Sequence, residues 1–431
     1  MKTQDKVQKP FSRRYLALLT ENRQRRLKEM KTQLIENPAV FSSFDENHQN
    51  SFLSKLLDRI PLLRLLQLRQ TIHPKESLGD NIENYQVLFP PERVEFGVND
   101  IDREFLKICL YYKKDYFDRS EIFVCDVVPA YVHIGLGIVC TKDFRAIVDS
   151  GMQYRITIAR WRLTYLDRLK LLWSKHFAIT ALYIFSLSAE NFWHFLYDSI
   201  PRIYSAMLAR PNQKLTVLVP DTLPDAFREL LSCVLPKNFN TISVPQGSWV
   251  KVDRLILPSY VSRCENGFLP AEYYEYIRNC VFKKFDLATV ENPTERIYIS
   301  RSHAKHRRIL NEDAIIQYLK KYGFKVVFLE KMSFREQVKL FTRAEVIVAP
   351  HGAGLATTLF SGKIKILVLY PESSPTPFFF TQFKGLGQEH YFITHDQFDE
   401  NADFKVDLLE FKQVVQEQMQ LKPHPDYSAN I

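Results

Sequence analysis

The 431-residue sequence contains no apolar run long enough to span a bilayer as a helix, and its first residues, MKTQDKVQKPFSRRY, lack the apolar stretch of a secretory signal. Together these two absences lead to the expectation of a cytoplasmic protein. Cysteine is sparse: Cys109, Cys125, Cys140, Cys233, Cys264 and Cys280 are scattered, with no CxxC pair, and read as reduced core residues rather than a disulfide framework or zinc site. No grouping of His, Cys and carboxylate has metal-ligand spacing, so neither a metal nor a cofactor is expected. Ser-His-Asp and Cys-His nucleophile arrangements are also missing, as are internal repeats and low-complexity tracts.

What the chain does have is length, apolar content and a basic bias. At 431 residues with 46% hydrophobic content it exceeds what one core usually holds, so two domains are expected. The net charge is +9, and residues 1–35 hold ten Lys/Arg against three acids. Residues 51–69, SFLSKLLDRIPLLRLLQLR, then combine a Leu/Ile face with Lys55, Arg59, Arg64 and Arg69. Such a segment either packs on its own domain behind a solvated arm or lies peripherally on an anionic inner membrane face. No aromatic-plus-basic module accompanies the charge, which argues against nucleic acid as a partner.

Along the chain, residues 1–80 read as a helical N-terminal extension. Residues 81–290 read as an α/β domain with strands at 122–128, 130–139, 146–147, 178–185, 215–219, 242–244 and 255–257. Its helices fall at 102–113, 165–175, 192–208, 226–235 and 271–285. Strands alternating with helices argue for a parallel, doubly wound sheet. Glu291-Asn292-Pro293 marks a boundary, and residues 291–403 repeat the alternation. Strands are expected at 296–300, 324–329, 346–348 and 365–370. Asn311 is expected to cap a helix closed by Gly323, and Ser333 with Glu336 to form a capping box. A Pro/Phe-rich loop follows, and residues 404–431 read as a last helix crossing back to the first domain, with a tail.

Three clusters could carry chemistry. His351-Gly352-Ala353-Gly354-Leu355 lies between a buried strand and a helix, where unpaired backbone N–H groups and the positive helix end suit a phosphate. Its alternative is a tight turn that merely needs glycine. The run Glu295–Glu312 places Arg301 just past a strand's carboxyl end, where open α/β sheets bind ligands, with Arg296, Lys305, Arg307 and Arg308 adding to the field. A solvated basic loop is the plainer account, and it fits Lys305 and Arg307. In Ala189–Tyr204, His194 stands in a first helical turn with Asp198 at i+4, so the carboxylate could hold the imidazole as a general base; a packed aromatic-lined histidine is the alternative. Asp100-Ile101-Asp102 looks like an acidic metal pair but is better explained by helix capping.

These blocks, in this order, resemble glycosyltransferase family 61, from about Phe185 to Pro371 and most strongly over Arg296–Phe360. The resemblance implies a GT-B fold, two Rossmann-like domains facing a cleft, and an inverting, metal-independent transferase. The nucleotide-sugar, most simply a UDP-sugar, would be held by Arg296, Arg301, Arg308, Glu330, His351, Gly352, Ala353, Gly354, Leu355 and Glu372. His194 with Asp198 would face a glycan or lipid-linked acceptor, in capsular or surface polysaccharide synthesis. A nucleotide-binding scaffold without turnover is the competing reading. The chain departs from the family pattern at Thr357, where Asn is frequent, and at Val368, where many members carry an acid; Glu372 is then the candidate ribose contact.

Overall fold

Among the described residues, short buried runs separated by amphipathic segments build two large β-sheets, beside a two-stranded one of Glu92–Glu95 and Tyr116–Arg119. The computed structural model describes residues 71–79, 81–109, 114–147, 150, 170–262, 267–372, 375–395 and 397–424. The basic stretches at 1–35 and 51–69, the first half of the expected 165–175 helix and the tail 425–431 lie outside them. All described residues fall within one compact unit.

The second sheet is the simpler. Five parallel strands run in the spatial order Phe324–Val327, Glu295–Ile299, Ala344–Pro350, Lys365–Tyr370 and Glu389–Thr394. In chain order this is 2-1-3-4-5, so the connections reverse direction between Glu295–Ile299 and Ala344–Pro350. Side chains alternate between its faces with period two. Ile297, Ile347, Ala349, Ile366, Val368 and Tyr370 join the large core shared with the first sheet, while Tyr298, Val346, Val348, Leu367 and Leu369 face a second core. That second core is closed by the helix Glu312–Lys320 and by Phe411, Val414, Val415 and Met419 of the last helix. The last helix, Leu408–Gln413 running on as a π-helix to Gln418, therefore covers its own sheet rather than crossing back.

The capping box Ser333–Glu336 forms as the pattern requires, and Gly323 closes its helix with φ +75°. Asn311 occupies the N-cap position but does not cap: its amide donates to the Val406 carbonyl and accepts from the Val406 N–H, both at 2.9 Å. The region expected to be a Pro/Phe loop folds into the helix Phe378–Gly385 and the strand Glu389–Thr394. Phe379, Phe380 and Phe383 are almost wholly buried, and their spacing is that of a helix face rather than a loop.

The first sheet departs from the purely parallel expectation. Lys175–Leu182, Leu215–Pro220, Phe239–Val244 and Trp249–Pro258 form a parallel block, with Trp249–Pro258 beside Lys175–Leu182. Trp249–Pro258 also pairs antiparallel with Ile122–Val127 and Ala130–His133. The expected strand 130–139 is broken by a turn and resumes only at Val139–Cys140. All six residues of Ile122–Val127 are buried, so that run lacks the polar alternation that would mark a half-exposed antiparallel strand. Asn99 and Asp102 make a reciprocal capping box on the helix Asp100–Ile108, as expected for this acidic pair.

Candidate functional site

Each parallel block reverses its winding once, and His194, Arg301 and His351 sit at those two places. In open α/β sheets, ligands bind beyond the strand carboxyl ends at such a reversal, because the two flanking loops part there.

In the second sheet, Arg301 follows Glu295–Ile299 and His351-Gly352 follows Ala344–Pro350, the two strands flanking the reversal. Gly352 has an extended backbone that any residue could adopt, so its identity is set by space: an added Cβ would lie 2.3 Å from Arg301 Nη1. A Cβ on Gly354 would lie 2.6 Å from Leu329 Cδ1. Arg301 donates through Nη2 to the His306 carbonyl at 3.0 Å, while its buried Nε has no acceptor. Burial, then the nearby Arg307 charge, pulls its pKa below the usual guanidinium value.

The residues Ala353–Phe360 form a 3₁₀ helix, tighter than the α-helix expected. Leu355 N–H bonds back to Gly352, and the first N–H groups have no intrahelical acceptor. Arg278 closes the other end, donating to the Leu359 and Ser361 carbonyls at 2.7–3.1 Å. His351 is 9% exposed, and its pKa is pushed down to about 3 by burial, then by Arg307 and Arg301. It is therefore neutral at physiological pH, with Nδ1 3.6 Å from Glu372.

The remaining donor-side candidates separate. Glu330 lies past the carboxyl end of Phe324–Val327, 3.2 Å from His303. Arg308 clamps the buried Asp403 through its backbone N–H and Nε, each at 2.7 Å. Arg296 is a correction: it opens its strand, so it stands at the opposite edge of the sheet from Arg301, bonded to Glu345 and to the Tyr322 and Lys422 carbonyls. Five steps along an extended chain separate the two by about 15 Å. Val368 is fully buried in the core between the sheets, whereas Glu372, just past that strand, is partly exposed.

In the first sheet, the winding reverses between Lys175–Leu182 and Trp249–Pro258, and the helix carrying His194 follows the former. Asn191 caps it by accepting from Trp193 N–H. The helix widens into a π-turn over Phe195–Ser199 and resumes at Pro201. Proline supplies no N–H to the Tyr197 carbonyl and crowds it, which accounts for the widening. His194 Nδ1 lies 2.7 Å from Asp198 Oδ2, and Asp198 is fully buried. Ser262, beyond the end of Trp249–Pro258, donates to Asp198 Oδ1 at 2.6 Å. With Nδ1–H donated to the carboxylate, the lone pair resides on Nε2.

Three residues were missed by sequence reasoning. Arg202, fully buried one turn on, donates to the Ile184 and Pro258 carbonyls and so ties together the ends of the two flanking strands. Ser262 fixes Asp198. Gln382, fully buried, accepts from Trp193 Nε1 at 2.7 Å and donates to the Leu355 carbonyl and Thr358 Oγ1 at 2.9 and 2.8 Å. It thereby joins the residue next to His194 to the 3₁₀ helix that follows Gly352. Only an unexpected glutamine in a Phe-rich run signalled it. Phe192 packs on Phe334, and Trp193 on Phe378 and Phe379; the Phe379 ring also meets the His351 ring edge-on at 5.1 Å, so the two loops share one wall. Among the described residues no cluster of three or more metal-binding side chains occurs, and no helix is long and apolar enough to cross a membrane.

Residues 192–368 match the family model described as Glycosyltransferase 61. Over 209 residues the chain is 23% identical to the EGF domain-specific O-linked N-acetylglucosamine transferase of Drosophila melanogaster, a match covering 42% of this chain and 39% of that relative. The matched span begins one residue after the Asn191 cap and contains His194, Asp198, Arg301 and the whole His351–Leu355 loop. Over residues 192–368, the chain is therefore similar to the glycosyltransferase 61 family, and it spans about two fifths of the length of the curated relative it matches.

Proposed function

We propose that this chain transfers a sugar from a nucleotide-sugar to an acceptor hydroxyl with inversion at the anomeric carbon. The observation that carries the reading is the coupling of the His194–Asp198 pair to the Arg301–Gly352 loop through Gln382, which sets a candidate base and a cationic anion site on one wall. In this reading, His194 Nε2 takes the proton of the acceptor hydroxyl, whose oxygen attacks the anomeric carbon. The bond from that carbon to the diphosphate oxygen breaks, and the nucleoside diphosphate leaves with the bonding pair. Asp198 holds the reactive tautomer and stabilises the imidazolium that forms. Arg301 and the N–H groups at the start of the 3₁₀ helix meet the charge on the leaving group. Glu372 is the candidate ribose contact.

The same reading takes a UDP-sugar as donor, a glycan or lipid-linked acceptor in surface polysaccharide synthesis, and a GT-B arrangement of the two sheets. It places the protein in the cytoplasm, with peripheral membrane contact through the basic N-terminal residues. The protein's own cations suffice for the leaving group, so the transfer proceeds without a metal.

The test is a panel of nucleotide-sugars and nucleoside diphosphates screened by thermal stabilisation, followed by transfer assays with His194→Ala. A ligand at a hundred times its Kd adds about 2.7 kcal/mol. A donor that stabilises the protein, with turnover lowered about 10²–10⁴-fold in the variant, supports the reading. A melt that no nucleotide shifts would overturn it; binding without transfer by the wild type would favour a scaffold.

A further inference from the structure

We propose that Arg307 is a second cation of the donor site, standing beside Arg301 and setting a preference for a diphosphate over a monophosphate. The inference rests on the donor-site reading above. By sequence, Arg307 belongs with Lys305 among the solvated charges of a basic loop; its backbone and its neighbours separate the two.

Arg307 has φ +62°, the left-handed region that side-chain-bearing residues other than Asn and Asp rarely occupy. Anchors hold it there. Its N–H donates to the Asn401 carbonyl at 3.0 Å, and the next residue, Arg308, binds both carboxylate oxygens of the buried Asp403. Such strain persists where the surrounding structure fixes the direction of a side chain.

The preceding peptide touches the donor loop directly. The His306 carbonyl accepts from Arg301 Nη2 at 3.0 Å, and Arg301 Nη1 fills the space that a Gly352 Cβ would take. Residues 306–307, Arg301 and Gly352 thus form one contiguous line. Neither cation is matched: the Arg301 Nε is buried without an acceptor, and the Arg307 side chain makes no ion pair or hydrogen bond among the described residues. By contrast Arg308, the next residue, pairs with Asp403, and at the far edge of the sheet Arg296 and Arg343 pair with Glu345 and Glu295. The charge of Arg307 lowers the pKa of both Arg301 and His351, in keeping with the contact that the preceding His306 carbonyl makes with Arg301. Two guanidinium groups beside a neutral histidine, neither in an ion pair among the described residues although the charges of Glu330 and Asp403 reach Arg301, suit an anion that carries one phosphate for each.

The experiment is calorimetric titration of the full chain with UDP, GDP, CDP and ADP, each against its monophosphate. Arg307→Gly keeps the positive φ and removes the charge, Arg307→Gln is its companion, and Lys305→Ala is the loop control. The expected result is an about 10- to 100-fold loss of diphosphate affinity in both Arg307 variants, the size of one charge-assisted hydrogen bond. Monophosphate binding and the melting temperature should hold, and Lys305→Ala should change neither affinity by more than about twofold. Unchanged diphosphate affinity in the Arg307 variants, or an equal loss of both ligands, overturns the inference while the donor site stands. Wild-type protein that binds no diphosphate overturns the donor site itself, and the inference with it.

Discussion

Replacing Gln382 tests whether the two loops are mechanically one. Its amide is wholly enclosed and makes three hydrogen bonds, to the Trp193 indole, the Leu355 carbonyl and Thr358 Oγ1. In Gln382→Ala the indole N–H, on a residue 4% exposed, loses its acceptor. An orphaned buried donor costs about 1–3 kcal/mol. The Leu355 carbonyl keeps one donor, the Thr358 hydroxyl at 2.9 Å, so the two lost amide donations together add only about 1–2 kcal/mol. A total of about 2–5 kcal/mol is expected, before any cavity term.

Gln382→Glu sharpens the test because it keeps the volume and the acceptor for Trp193 but points an oxygen at two acceptors. The buried carboxyl must then be protonated to donate, which raises its folded-state pKa above the unfolded value near 4.3. A raised acid pKa gives stability that is present at low pH and lost as pH rises, so this variant should lie closer to wild type at pH 5 than at pH 8. Urea unfolding followed by tryptophan fluorescence reads both effects. A loss below about 1 kcal/mol in Gln382→Ala, or a Gln382→Glu deficit that does not grow with pH, would refute the strut.

Gly352→Ala should leave the melting temperature nearly unchanged, since the backbone there is extended and the colliding atom is the end of a flexible side chain. Diphosphate affinity should nevertheless fall about tenfold or more, and the double variant with Arg301→Ala should be no worse than Arg301→Ala alone. Asp198→Asn should lower kcat by about 10²–10⁴-fold and displace the pH profile of kcat/KM, because an amide cannot hold the same imidazole tautomer or stabilise its cation; an unaltered profile would remove Asp198 from the reaction. His351 and His390 both have pKa values pushed down to about 3 by burial. Their stabilising contribution is present above the unfolded value near 6.5 and falls with acid by up to about 1.4 kcal/mol per pH unit each. His390→Asn should flatten the loss between pH 6 and pH 4 by about one proton, as read from urea midpoints against pH.

The periodic segments, most of them in the second sheet, were legible because local chemistry decided them. Ser333 and Glu336 close a capping box within four residues, and Gly323 supplies a positive φ that other residues resist. Lys365–Tyr370 and Ala271–Phe285 fold over the spans their apolar patterns mark. The first sheet was less legible: Ile122–Val127 is buried on both faces, and a continuous apolar run carries no sign of strand direction. Phe378–Gly385 was hidden by the prolines before it, although its buried phenylalanines follow a helical spacing.

By itself, the sequence determined the α/β class, the pairing of His194 with Asp198 at helical spacing and the position of Arg301 beyond a strand. Each of these depends on residues close together in the chain. Tertiary structure decided which cations stand near the His351–Leu355 loop. It moved Arg296 to the far edge of the sheet, occupied Arg308 with Asp403 and left Arg307 strained and unpaired. It also supplied Ser262 and Gln382, whose partners lie 64 and 189 residues away in the chain. Contacts at such separation exist only once both sheets have formed, because the strand ends that hold them are brought together by the winding of each sheet and not by any local pattern.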